Sequence, residues 1–145
     1  MNTTSKSISV LRVADSAAAA QTDVTSDGVD MVGYSGAEFV CAIGDITATG
    51  TVTMKIQQSD DDGSTDAYGD LEGATAAADD TGSDLLLRVA VAFPRKRYLR
   101  AVVTRATANS VVDGVLAVRY NPVREPVDED ASVADATFVH APAES

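Results

Sequence analysis

The sequence predicts an all-β fold: a single-domain antiparallel β-sandwich, jelly-roll-like, with extended termini. Three observations predict it. Several segments alternate apolar and polar residues with a period of two, which turns one face to a core and the other to solvent. Turn signals separate them, among them Asp27-Gly28, Asp62-Gly63 and Asp113-Gly114, whose residue types tolerate the positive φ of tight turns. The helix-compatible stretches are Ala-rich and short, Asp15–Gln21 and Gly73–Asp79. Isolated helices below about 12–15 residues are marginal, so both read as loops holding one helical turn at most.

Taken along the chain, the first candidate strands are Ile8–Val13, Val29–Tyr34 and Glu38–Ile43. Gly44-Asp45 and Gly50 bracket the turn into Thr51–Gln57, which alternates strictly and turns Val52, Met54 and Ile56 to one face. Leu85, Leu87, Val89, Val91 and Phe93 form a second such face, opposed by Leu86, Arg88, Ala90 and Ala92. Arg97–Arg105 reads as a third strong strand, with Leu99, Ala101 and Val103 inward and Arg97 and Arg105 outward. Asn109-Ser110 marks the tip before Val115–Tyr120, and Val133–Val139 is the last candidate. Short strands at this spacing are the signature of a sandwich or jelly roll. Between them Gln57–Asp84 carries nine acidic residues, no basic one and four Gly, and reads as a long acidic loop.

A length of 145 residues suits one domain. The expected division is an N-terminal arm over residues 1–7, the sandwich over 8–120 and an acidic, Pro-containing C-terminal arm over 121–145. Polar, proline-bearing ends have the composition of mobile tails. If ordered, they need something to hold them, so Met1–Ser7 and Pro122–Ser145 are expected to pack on neighbouring subunits.

Composition excludes several classes. The apolar residues are mostly small, 24 Ala and 19 Val against seven Leu, four Ile, three Phe and no Trp. A single cysteine, Cys41, excludes an internal disulfide, and a single histidine, His140, leaves little for a zinc site or a His-dependent triad. No apolar run approaches the roughly 20 residues of a membrane-spanning helix, and Met1–Lys6 has no signal-peptide-like stretch. The formal charge of −11 argues against direct nucleic-acid binding, which needs an excess of clustered cations.

Two constellations stand out. The cluster Asp60, Asp61, Asp62, Ser64 and Asp66 places oxygen ligands at alternating loop positions, as a calcium site would, with Asp60, Asp62 and Asp66 the candidate ligands. Counted from Asp60, however, the EF-hand's Gly and Glu places hold Thr65 and Leu71. A solvated hairpin end is the simpler reading, and no cofactor is expected. The second is basic: eight of the eleven Lys and Arg residues lie between Arg88 and Arg124. Arg95, Lys96, Arg97 and Arg100 are the candidate partner-interface residues, an electropositive face for an acidic partner. The alternative is that these cations balance the acidic Gln57–Asp84 segment of the same subunit. Cys41 reads as a buried structural thiol, and His140 has no catalytic company. Neither the nucleophile-elbow pattern nor a phosphate-cradling Gly-rich loop occurs, so no enzyme is expected.

Three stretches carry a resemblance. They are Gly44–Gly63, Arg95–Thr104, and Val112–Val118 followed by Asn121–Val127. In composition and order they resemble the small β-rich decoration, or cement, proteins on the heads of tailed phages and archaeal tailed viruses, over roughly residues 37–127. The resemblance implies a virion protein on the outer capsid surface that binds the major capsid protein in multiple copies, often as a homotrimer. It implies no individual functional residue. The alternative is a β-sandwich head or tail appendage, adhesin-like, that binds host surface glycans. An aromatic platform would favour that reading, and aromatic residues make up only 5% of the chain.

Overall fold

Because sheet side chains alternate between faces, the apolar positions read above can be satisfied only by two sheets stacked on them. The computed structural model, which describes residues 4–139 together with Ala141 and Ala143, has this form. A helical turn, Thr4–Ser7, leads into β1 (Ile8–Ala14), β2 (Ala17–Ala20), β3 (Val24–Thr25), β4 (Val29–Asp30), β5 (Tyr34–Ile46) and β6 (Thr51–Ser59). Then come β7 (Gly69–Ala78), a 3-10 turn at Asp80–Gly82, β8 (Leu86–Ala92), β9 (Tyr98–Ala106) and β10 (Ser110–Pro122).

One antiparallel sheet has the order β1-β10-β5-β8, with β2 continuing the β1 edge beside β10; the other runs β3-β9-β6-β7, with β4 also beside β9. Counting each interrupted edge (β1 with β2, β3 with β4) as one strand gives orders 1-8-3-6 and 2-7-4-5. These are the pairs 1·8, 2·7, 3·6 and 4·5 of one long antiparallel ribbon rolled across two sheets, the jelly-roll arrangement. The predicted fold class is the observed one.

Phe39, Ile43, Met54, Ile56 and Leu99 are the largest fully buried side chains between the sheets. Each contributes about 1.5–3 kcal/mol by leaving water, and Val and Ala fill the remaining space. Where the β3–β4 edge is interrupted, Ser26 substitutes for a strand residue. Its N–H donates to the Ala101 carbonyl at 2.8 Å, and its Oγ accepts the Ala101 N–H at 2.8 Å. Ala101 of β9 therefore keeps both its backbone bonds at the break.

The structure corrects several expectations. The two Ala-rich stretches are strand: Ala17–Ala20 is β2, and Gly73–Ala78 belongs to β7. Partners override propensity there, because β6 supplies a ladder and Ala74, Ala76 and Ala78 pack against the core. Gln57–Asp84 is accordingly a hairpin and a 3-10 turn, with a true loop only between Ser59 and Gly69. Asp113-Gly114 is a bulge inside β10, Gly114 at φ 147°, where the register shifts against β5. Val29–Tyr34 is not one strand: Val29–Asp30 is β4, a turn at Gly33 (φ 88°) follows, and Tyr34 opens β5. Val133–Val139 forms no strand, and its Val133 N–H closes a turn on the Asp130 carbonyl at 3.0 Å. Leu85 and Phe93, expected inward, are 59% and 78% exposed.

Arg105 also reverses its assignment. It has the same strand parity as Leu99, Ala101 and Val103, so it points inward and is 4% exposed. Nε donates to the Thr22 carbonyl (2.8 Å), Nη1 to those of Ala18 (2.6 Å) and Ser110 (2.7 Å), and Nη2 to Thr22 Oγ1 (3.0 Å). One guanidinium thus ties the β2 edge to β9 and β10.

The C-terminal segment returns along its own domain. Val123 N–H donates to the Gly33 carbonyl (2.9 Å), Val127 N–H to that of Lys6 (3.1 Å), and Arg12 N–H to Ser132 Oγ (2.9 Å). It covers the β1 edge, which would otherwise offer unpaired backbone groups. Met1–Thr3, part of the expected N-terminal arm, lie outside the described residues, as do His140, Pro142, Glu144 and Ser145 of the C-terminal one.

The two outer faces differ. On the β6–β9 sheet the outward residues include Thr53, Lys55, Gln57, Arg100 and Thr104. On the β5–β10 sheet the cross-strand rows are Ile8–Tyr120–Gly36–Ala92, Val10–Val118–Glu38–Ala90 and Arg12–Leu116–Val40–Arg88.

Truncating Arg105 strands three carbonyls at a buried edge. Arg105→Ala is expected to lower stability by about 3 kcal/mol, read by urea denaturation followed by circular dichroism. Arg105→Lys should recover less than half, since one ammonium cannot reproduce the fork.

Candidate functional site

The predicted acidic and basic constellations meet at the β6–β7 loop. Asp62 (φ 59°) and Gly63 (φ 81°) turn the chain, and fully buried Ser59 organises it. Ser59 Oγ accepts the N–H groups of Asp61 (3.2 Å) and Gly63 (2.8 Å) and donates to the Asp66 carbonyl (2.6 Å). Asp61 accepts the Thr65 hydroxyl and the N–H groups of Thr65 (2.9 Å) and Asp66 (3.0 Å). These bonds, the Thr65 hydroxyl first, hold its carboxyl down at about 2.

The proposed calcium ligands do not converge. Asp62 accepts the Tyr68 hydroxyl at 2.5 Å, while Asp66 accepts the Lys96 ammonium at 2.6 Å and the Asp60 N–H at 2.8 Å. No group of three or more His, Cys, Asp or Glu side chains suited to a metal is gathered among the described residues.

Three of the four candidate interface cations are engaged within the subunit. Lys96 pairs with Asp66, whose carboxyl is lowered chiefly by that bond. Arg97 grips Asp30 with two bonds, Nε at 3.0 Å and Nη2 at 2.8 Å, and lowers the Asp30 carboxyl. Arg100 donates to Gln57 Oε1 at 2.8 Å and lies over the Tyr68 ring, 4.1 Å from its centroid. Arg95 alone of the four is exposed and without an ion pair among the described residues. Of the four, only Lys96 balances the acidic segment; Arg97 balances Asp30 outside it, and Arg100 is held by a neutral amide and a ring.

A feature that sequence reasoning missed lies at the same end of the sandwich. Three chain segments turn there through left-handed conformations: Gly33 (φ 88°), Phe93 (φ 51°) and Asn121 (φ 50°). They display Val32, Phe93 and Val123, which are 63%, 78% and 81% exposed. A groove of about 470 Å³ runs between Val32, Tyr34, Phe93, Pro94 and Lys96. A bulky residue at positive φ costs of order 1–3 kcal/mol and persists only where surroundings impose it. Here the Phe93 N–H is fixed to the Ser35 carbonyl at 2.7 Å. The dipeptide Phe93-Pro94 gave no signal for this, since a following proline favours extended backbone and not a positive φ. Arg95 and Arg124 flank this tip.

Arg119 braces the tip from beneath, donating to the Asp30 carbonyl (2.9 Å) and Ser9 Oγ (2.8 Å) and stacking on Tyr34 at 4.4 Å. Cys41 is fully buried, as expected, and burial, with Asp113 adding to it, pushes its thiol up to about 11.

No family model matches the chain, and no curated protein does. Among solved structures it is similar to the PBSX exported protein XepA, at 16% identity and a TM-score of 0.55, covering 98% of this chain and 45% of that one. The chain thus spans less than half of XepA's length. It is also similar to a Bacillus endospore appendage protein of disulfide-linked pili, at 17% identity and a TM-score of 0.45, covering 81% of this chain and 90% of that one. A third is the C-terminal family 22 carbohydrate-binding module of Clostridium thermocellum Xyn10B, at 14% identity and a TM-score of 0.41, covering 82% and 89%. The likeness to XepA is one of fold: a β-sandwich shared with a phage protein.

Two outcomes follow from the loop and the thiol. Asp61's stabilising bonds exist fully above the unfolded carboxyl value near 4 and are lost as pH falls through about 2. A carboxyl NMR titration should place its midpoint near 2, with Thr65 and Asp66 amides losing exchange protection between pH 4 and 2. Cys41 should be silent to a thiol reagent at pH 8 and react with one equivalent only in denaturant.

Proposed function

We propose that this chain is a capsid decoration, or cement, protein. It sits on the outer surface of the head of a tailed double-stranded DNA virus, binds the major capsid protein in multiple copies and stabilises contacts between capsomers. The observation that carries the reading is the tip: an exposed Phe93 held in a strained conformation beside Val32 and Val123, flanked by Arg95 and Arg124. A jelly-roll fold and a likeness in fold to a phage exported protein support it. In this reading the chain binds and does no covalent chemistry.

The tip has the make-up of a docking centre. Aromatic and Arg residues dominate binding energy where water is excluded around them. A backbone that presents Phe93 before the partner arrives reduces the ordering cost of association. Arg95 and Arg124 pair with carboxylates on an acidic capsomer surface and orient the approach. Each contact is modest, but copies engaged on one shell raise the effective concentration of their neighbours.

The test adds the protein to capsids assembled without it and counts occupied positions by electron cryomicroscopy. Bare capsids at saturating protein would refute the reading. Phe93→Gly should raise subunit stability by about 1 kcal/mol, because glycine adopts this φ without strain, yet lower occupancy at least tenfold. Arg95→Glu should lower occupancy and remove most of its salt dependence. Lys96→Ala should change stability little, as loss of a surface ion pair does, and leave occupancy alone.

A further inference from the structure

We infer that the outer face of the β5–β10 sheet is a self-association surface whose occupant is the same face of a second copy. This goes beyond the decoration reading and does not depend on it. An antiparallel sandwich ordinarily turns polar residues outward from both sheets, and the β6–β9 sheet does. The outer face of the other sheet instead presents Val10, Val118, Leu116, Val40, Ala90 and Leu86, contiguous by register, with Leu86 60% and Leu116 42% exposed.

Charge selects the occupant. The chain carries −11, so two copies repel wherever acidic surfaces meet. On this face the charges cancel: Arg88 pairs with Glu38, and Arg12 with neighbouring Asp15 at 3.2 Å. It is an apolar, neutral face on which like-charged copies can approach. Two-fold pairing brings both signs from each side, so each Glu38 and Arg88 meets a partner surface containing its complement. The C-terminal segment runs along the β1 edge, bonded to the backbone of Lys6 and Arg12, while Leu116, Arg88, Ala90 and Leu86 on the face itself are exposed.

Size sets the strength. Four strands about 4.8 Å apart and seven residues long at about 3.4 Å each present roughly 450 Å² per copy. That lies at the low end of specific interfaces, where complexes are transient. The association is therefore expected in the micromolar range and to tighten as salt rises, because salt screens the net repulsion without weakening apolar contact.

Sedimentation equilibrium of the full chain from 1 to 200 µM, at 50 and 500 mM NaCl, tests it. The expected result is a mass rising toward twice the monomer, with at least threefold tighter association at high salt. Leu116→Arg should hold the chain monomeric, and Leu86→Lys, at a more exposed position, should weaken association at least tenfold; Thr53→Arg on the opposite sheet should change nothing. A wild-type chain that stays monomeric throughout overturns the inference. So does association that both Leu116→Arg and Leu86→Lys leave intact, or that 500 mM NaCl abolishes. Capsid capture through the tip is expected to weaken with salt, so failure of one reading is distinguishable from failure of the other.

Discussion

The long antiparallel pairing of β5 with β10 is the constraint on which the rest of the molecule depends. It runs from Ser110 opposite Ile46 to Pro122 opposite Tyr34 and is kept in register around the Gly114 bulge. One parity of this ladder sends Phe39, Cys41, Val115 and Ala117 into the core. The other sends Val40, Leu116 and Val118 out to the apolar face. Its far end delivers Tyr34 and Asn121 to the tip, where the neighbouring turns display Val32, Phe93 and Val123. A one-residue slip would exchange core and surface along both strands, so the core, the outer face and the tip are aspects of one register.

The second organising force is the rationing of positive charge. With eleven cations against twenty-two acids, each Lys or Arg position matters. Arg105 and Arg119 act structurally, satisfying carbonyls and hydroxyls where strands stop short. Lys96, Arg97 and Arg100 hold the β6–β7 loop and the β4 edge against the sandwich. Arg95 and Arg124 are left to face outward beside the exposed aromatic. A buried polar group without its partner costs more than an exposed pair contributes, so cations near the sandwich are claimed by it first.

The two proposed surfaces obey different physics. The tip joins a strained apolar anchor to arginines without an ion pair among the described residues, a combination that favours an acidic partner and is weakened by salt. The sheet face is neutral and apolar, and salt strengthens contact across it. Both arise from the same ladder, so in the proposed reading the tip and the sheet face are available on one subunit at once.

Much of the fold was legible in the chain. Val52, Met54 and Ile56, or Leu87 and Val89, declare a buried face by alternation alone, because a strand's period is a local property of its backbone. Cys41 followed from its strand in the same way. Other features had no local signal. The alanines of β2 and β7 are strand because β10 and β6 lie beside them, and Ala has too little preference of its own to say so. Arg105 shares the parity of the core, but only the carbonyls of Ala18, Thr22 and Ser110, brought together by folding, make its burial tolerable. Which carboxylate takes which cation, and that Arg95 is left over, depends on loops that meet across dozens of residues. Local geometry is written in the order of the residues; the satisfaction of polar groups is decided only when distant segments close on one another.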